Sequence, residues 1–260
     1  MAAFDFRPRS NTELLDASVE FTRSHFGILA ATLALAQIPL LAITFTFPPS
    51  PSDPFLRFRE QPALAIAIIL ASLWVQAVLA VTFVHVVDDL LHGRQAALPV
   101  ALSRAIRRSI SAVVMLISMY VVMILWAMLF LVPVVWAYAR YFAIVPAFAV
   151  ESLSPIDAIR RSKQLAKGNN GRALALGLVP ALVAGTIMVV VQQGLLGAGV
   201  AFLTTRVVGA IMTIVLYPFS MVPAIFLYYD LRTRREGLDL DFGALPQPHP
   251  APSPSPTAAA

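Results

Sequence analysis

Long uninterrupted apolar runs alternate with short segments in which arginine, aspartate and proline cluster. The first run covers residues 26–47 and ends at Pro48, Pro49, Pro51 and Pro54. The second covers 62–87 and stops at Asp88 and Asp89. A third apolar stretch, 110–150, is about twice what one bilayer crossing needs, and Pro133 divides it into 110–131 and 133–150. A fifth run covers 173–203, and a sixth covers 207–229 with Pro218 and Pro223 placed to kink it. The expectation is an all-α, polytopic transmembrane helical bundle of about six spans, with short cytoplasmic amphipathic helices.

The polar segments carry helical patterns of their own. Ser154, Pro155 and Asp157 form an N-cap, a first-position proline and an acidic first turn, and Gly168 follows Lys167 as a stop. Between them Ile156, Ile159 and Leu165 oppose Arg160, Arg161, Lys163 and Lys167, which makes a basic amphipathic helix. After Pro99, Leu102, Ala105 and Ile106 alternate in the same way with Arg104, Arg107 and Arg108. Ala105-Ile106-Arg107-Arg108-Ser109 recurs residue for residue as Ala158-Ile159-Arg160-Arg161-Ser162. Residues 11–24 make a weaker third copy through Leu14, Leu15, Val19 and Phe21. One plan explains all three: an interfacial helix followed by a helical hairpin, repeated three times. The plainer alternative is that basic amphipathic segments arise beside any membrane span.

Composition agrees with the pattern. Of 260 residues, 58% are hydrophobic and 13% charged, against about 25% charged in soluble domains. The mean hydropathy is +0.78. The net charge is +5, which in a soluble chain would point to nucleic acid; here the arginines flank apolar runs, so topology and anionic lipid account for them. Six spans with both termini cytoplasmic place three, four, five and three of the Lys and Arg residues in the inner segments, fifteen of nineteen. Only Arg57, Arg59, Arg206 and Arg140 fall elsewhere. That asymmetry fits the positive-inside rule, and the expected location is the cell (inner) membrane, as a multi-pass protein. Residues 1–243 read as one transmembrane domain, and the Pro-, Ala- and Ser-rich 244–260 as a disordered tail.

Candidate chemistry is sparse. There is no cysteine, and His25, His85, His92 and His249 do not fall at metal-ligand spacing. No catalytic, metal or cofactor site is expected. His85, beside Asp88 and Asp89, is either part of a proton relay or of a solvated boundary cluster. Gly194, Gly197 and Gly199 follow a span rather than a strand, so close helix packing suits them better than a phosphate loop. Arg140 lies roughly 10 Å into the fourth span by helical rise. A tentative intramembrane polar cluster joins it to Gln37, Gln192 and Gln193; the alternative has Arg140 snorkelling between Tyr138 and Tyr141. The lipid-headgroup residues of the inner face are Arg104, Arg107, Arg108, Arg160, Arg161, Lys163, Lys167, Arg232, Arg234 and Arg235.

Residues 151–168, with Ser154-Pro155-Ile156-Asp157-Ala158-Ile159-Arg160-Arg161-Ser162 at their centre, resemble a signature of a bacterial family. It is named after the membrane domain of glycerophosphoryl diester phosphodiesterase. Leu227-Tyr228-Tyr229-Asp230-Leu231-Arg232-Thr233-Arg234-Arg235-Glu236-Gly237-Leu238-Asp239 resembles its second hallmark, and Glu13-Leu14-Leu15-Asp16-Ala17 fits its opening. The resemblance spans roughly residues 6–242. It implies a helical membrane protein; most standalone members have no established activity. The namesake's diester hydrolysis resides in a separate barrel of about 250 residues, for which this chain has no room. The expected role is therefore a non-enzymatic organiser or regulator at the inner leaflet. Its expected partners are the bilayer, anionic lipid and an undefined protein, without nucleic acid. The alternative is a transporter or lipid-translocating protein using a polar site around Arg140.

Overall fold

The computed structural model describes residues 9–48, 55–128 and 131–236, with side chains from 134 onward in the last segment. The tail at 244–260 and residues 237–239 of the second hallmark lie outside the described residues. Every regular element among those described is helical. In chain order they are α1 (Asn11–Ser24), α2 (Phe26–Thr46), α3 (Leu56–Glu60), α4 (Pro62–Leu91), α5 (Leu98–Arg107) and α6 (Ser109–Ala127). There follow α7 (Leu131–Tyr141), α8 (Ile144–Val150), α9 (Pro155–Ala166), α10 (Asn170–Ala173), α11 (Val179–Gly197) and α12 (Phe202–Glu236). A wider π turn at Leu174–Leu178 joins α10 to α11 just before Pro180, whose missing N–H could not close an ordinary turn.

Among the described residues, five helices are long and apolar enough to cross a membrane: Phe26–Thr46, Pro62–Leu91, Ser109–Ala127, Asn170–Gly197 and Phe202–Glu236. The protein is a multi-pass membrane protein by that measure. The expected sixth span, 133–150, is a shorter apolar segment broken into α7 and α8. Pro133 does not make this break, because it lies within the first turn of α7. Pro146 does: its ring collides with the carbonyl four residues back, at Phe142, and it has no N–H to donate. The Ser162 hydroxyl, from α9, fills the gap by donating to Arg140 O at 2.9 Å and accepting from Ala143 N at 3.1 Å. The chain nevertheless returns to its starting end. Arg108, just before α6, donates to Phe148 O at 3.2 Å and to Leu153 O.

The three-unit plan has a geometric counterpart. The residue between α1 and α2, His25, has φ −113° and ψ 17°. Arg108, between α5 and α6, has φ −115° and ψ 18°, and Asn169, ahead of α10, has φ −123° and ψ 20°. Each interfacial helix thus turns into its membrane helix through the same backbone conformation. The two pentapeptide copies are used alike: Ala105 and Ala158 are fully buried, Arg107 and Arg160 exposed, and Arg108 and Arg161 half-buried with partners. Helix α9 begins as expected, with Ser154 Oγ accepting from Asp157 N. Helix α1 begins with a capping box of Ser10 and Glu13, a start not singled out in the sequence.

The core sits around the C-terminal half of α12, buried without interruption from Val222 to Leu231. A helix apolar on all faces must be enclosed. Here α1, α2, α8, α9 and α11 surround it, and Phe21 meets Phe226 edge-on at 5.3 Å. By contrast α11 has no buried residue and lies at the periphery. Gly194 and Gly197 face open space, so they do not mediate helix packing; Gly199, at φ 77°, makes the turn into α12. Replacing Ser162 by alanine strands the buried Ala143 N–H. Unfolding in detergent is expected to show a loss of about 1–3 kcal/mol, with little change for Ser103→Ala on the exposed side of α5.

Candidate functional site: a carboxylate belt and a polar cleft

Successive residues of a helix point about 100° apart, and three consecutive residues of α12 use this to reach three parts of the molecule. Tyr228 donates its hydroxyl to Glu151, at the end of α8, at 2.7 Å. Tyr229 donates to Asp88, near the end of α4. Asp230 accepts from Arg9 N at 2.8 Å, from Arg172 at 2.7 Å and from Arg234 at 2.8 Å. Arg172 also donates to Asn11 Oδ1 and to Arg9 O, which ties the last helix to the start of α1.

Each unit therefore ends its returning helix in a carboxylate that an arginine elsewhere neutralises. Arg104 of α5 holds Asp89 at 2.8 Å, Arg161 of α9 holds Glu151 at 2.9 Å, and Arg172 holds Asp230. Asp89 is 3% exposed and Asp230 4%, so these charges depend on their partners. Arg94 bridges Asp88 and Asp89, while Arg161 and Arg232 share Glu236. His92 Nδ1 lies 3.1 Å from Asp88 Oδ1. That hydrogen bond holds the imidazolium pKa above its ordinary value of 6.5, against the lowering effect of burial. The cluster at Asp88 thus recruits His92; His85, the residue singled out by the sequence, makes no hydrogen bond to it among the described residues.

Most of the arginines expected to meet lipid headgroups are thereby occupied inside the protein. Arg104, Arg161, Arg232 and Arg234 hold carboxylates, and Arg235 donates to the carbonyls of Gln164 and Lys167. Arg108 caps carbonyls and stacks on Phe148 at 4.4 Å. Glu151 pairs with Arg161, whereas among the described residues Arg160 bonds only the exposed Asp157. Arg107, Lys163 and Lys167 are exposed and hold no carboxylate among the described residues.

The expected polar cluster is only partly assembled. Gln37 and Gln192 line a common cleft of about 220 Å³ between α2, α11 and α12. Gln193 is exposed and is not in its wall. Arg140 is not there either. Its guanidinium stacks on Trp136 at 4.1 Å, and its carbonyl is the one bonded by Ser162 beside α9. The cation of the cleft is Arg206, joined by Thr44 and Thr213. Gly209 matters here, since a Cβ would come within 2.9 Å of Gln192 Nε2. One sequence signal for Arg206 existed: it was among the few basic residues outside the inner segments.

No protein-family model, curated protein or solved structure matches the chain. The family resemblance rests on the motifs alone.

Two outcomes test the belt. Asp230→Ala removes one shared acceptor from the half-buried Arg172, the exposed Arg234 and the Arg9 N–H, while both arginines keep the Arg9 carbonyl. A loss of about 1–3 kcal/mol is expected in detergent unfolding. Asp157→Ala, at the exposed pair, is expected to cost less than about 1 kcal/mol. The second concerns pH. Because folding raises the His92 pKa, its stabilisation is complete below about 6.5 and is lost as pH rises through the folded value. Melting temperature against pH should show that decline, and His92→Gln should flatten it.

Proposed function

We propose that the chain is a non-enzymatic multi-pass protein of the inner membrane, with both termini cytoplasmic, that holds anionic lipid along its basic end and organises that leaflet. The observation that carries this reading is the sorting of the cations. Those enclosed by the fold are matched with carboxylates or carbonyls, whereas Arg107, Lys163 and Lys167 stand exposed on α5, on α9 and at the end of α9. Exposed aliphatics accompany them. Ile110 is 81% exposed and Ile156 63%, and Val100 and Ile106 are exposed on α5 along with Arg107. Exposed aliphatic and cationic groups together suit the boundary between acyl chains and anionic headgroups.

A transport function centred on Arg140 has less support, since the glutamines meant to join it lie elsewhere. Any translocation path would use the cleft at Gln37 and Gln192.

Each exposed cation near an anionic surface contributes about 1 kcal/mol, or roughly fivefold in affinity. The triple variant Arg107→Gln, Lys163→Gln, Lys167→Gln is therefore expected to retain far less phosphatidylglycerol than the wild type after purification from mixed vesicles. Equal retention would refute the proposal. Orientation has its own test, because the chain contains no cysteine. Impermeant maleimide on intact cells should label Phe58→Cys and spare Ser103→Cys.

A further inference from the structure

The cleft between α2, α11 and α12 opens at the end opposite the carboxylate belt. By helical rise Arg206 lies roughly 36 Å along α12 from Asp230, about a bilayer core away. Arg206, near the start of α12, and Thr44, near the end of α2, share the cleft wall with the amides of Gln192 and Gln37, while Leu40, Leu41 and Met188 are apolar. No carboxylate lines it.

Arg206 differs from the arginines of the carboxylate belt. It is exposed, stacks on Phe202 at 4.7 Å, and holds no carboxylate among the described residues. It also stands in the second turn of α12, at the end of that helix away from Asp230. Gly209 widens the cleft floor, and the Gln192 amide lies over its bare backbone. A recess that offers amide donors and a cation beside aliphatic carbon is complementary to an amphipathic anion.

We propose that this cleft seats one phospholipid from the leaflet opposite the basic end. Its phosphate lies on Arg206, its glycerol esters against Gln192 and Gln37, and an acyl chain along Leu40 and Met188. The site is independent of lipid binding at the basic end, because it uses none of the same residues.

The test uses full-length protein carrying Arg107→Gln, Lys163→Gln and Lys167→Gln, so that basic-end lipid does not contribute. Native mass spectrometry in detergent counts adducts of phosphatidylglycerol and of diacylglycerol with the same chains. The expected result is one retained phosphatidylglycerol per protein and little diacylglycerol. Adding Arg206→Gln should reduce the adduct roughly tenfold, the usual effect of losing one charge-assisted hydrogen bond. Gln192→Leu should reduce it as well, with melting temperatures checked for both. Glycerol phosphate, which has the headgroup chemistry without the chains, should fail to displace the lipid. Equal retention of the two lipids, indifference to Arg206→Gln, or displacement by glycerol phosphate would each overturn the assignment.

Discussion

The basic end of this protein is organised by the three-way reach of Tyr228, Tyr229 and Asp230. A helix places consecutive side chains about 100° apart, so one short stretch of a central helix can bind three neighbours at the same depth. Here the neighbours are the ends of α8 and α4 and the start of α1. A membrane bundle gains little from apolar burial between helices, since lipid tails are as apolar as leucine. Hydrogen bonds and ion pairs at the polar boundary therefore carry a larger share of the specificity. Asp230, with its guanidinium partners and the Arg9 N–H, closes the ring of units by joining the last helix to the first.

That arrangement explains why the excess of positive charge is not simply a lipid-binding surface. Each returning helix ends in a carboxylate, and each carboxylate is buried or half-buried against an arginine. Removing a carboxylate from water without a partner is costly, so these arginines are structural before they can be anything else. The cations left over sit on α5 and α9 beside exposed isoleucines. The protein thus presents two unlike ends: one where charge is largely neutralised internally, and one where Arg206 stands over a polar cleft.

The break between α7 and α8 shows how a local defect becomes a docking point. The helix break ahead of Pro146 leaves Arg140 O and Ala143 N–H outside the helical ladder, and lipid could not satisfy them. Ser162 supplies both partners from α9, an amphipathic helix that Arg161 also ties to Glu151. The same serine closes the second pentapeptide copy, whereas its counterpart Ser109 begins a membrane helix. The two copies therefore share their burial pattern at Ala-x-Arg-Arg and diverge at the last residue.

The sequence by itself determined what depends on neighbours along the chain. Apolar length set the helices that can cross a membrane, and Ser154, Pro155 and Asp157 marked the start of α9, because span length and capping are local properties. The clustering of arginines at one end was legible for the same reason. Only the tertiary structure decided which charge meets which. Asp230 and Arg9 are separated by 221 residues and Arg172 and Asn11 by 161, and no periodicity encodes such pairs. It also replaced Arg140 by Arg206 in the polar recess. Depth along a span can be counted from sequence, but the direction a side chain faces follows from how α2, α11 and α12 pack around it.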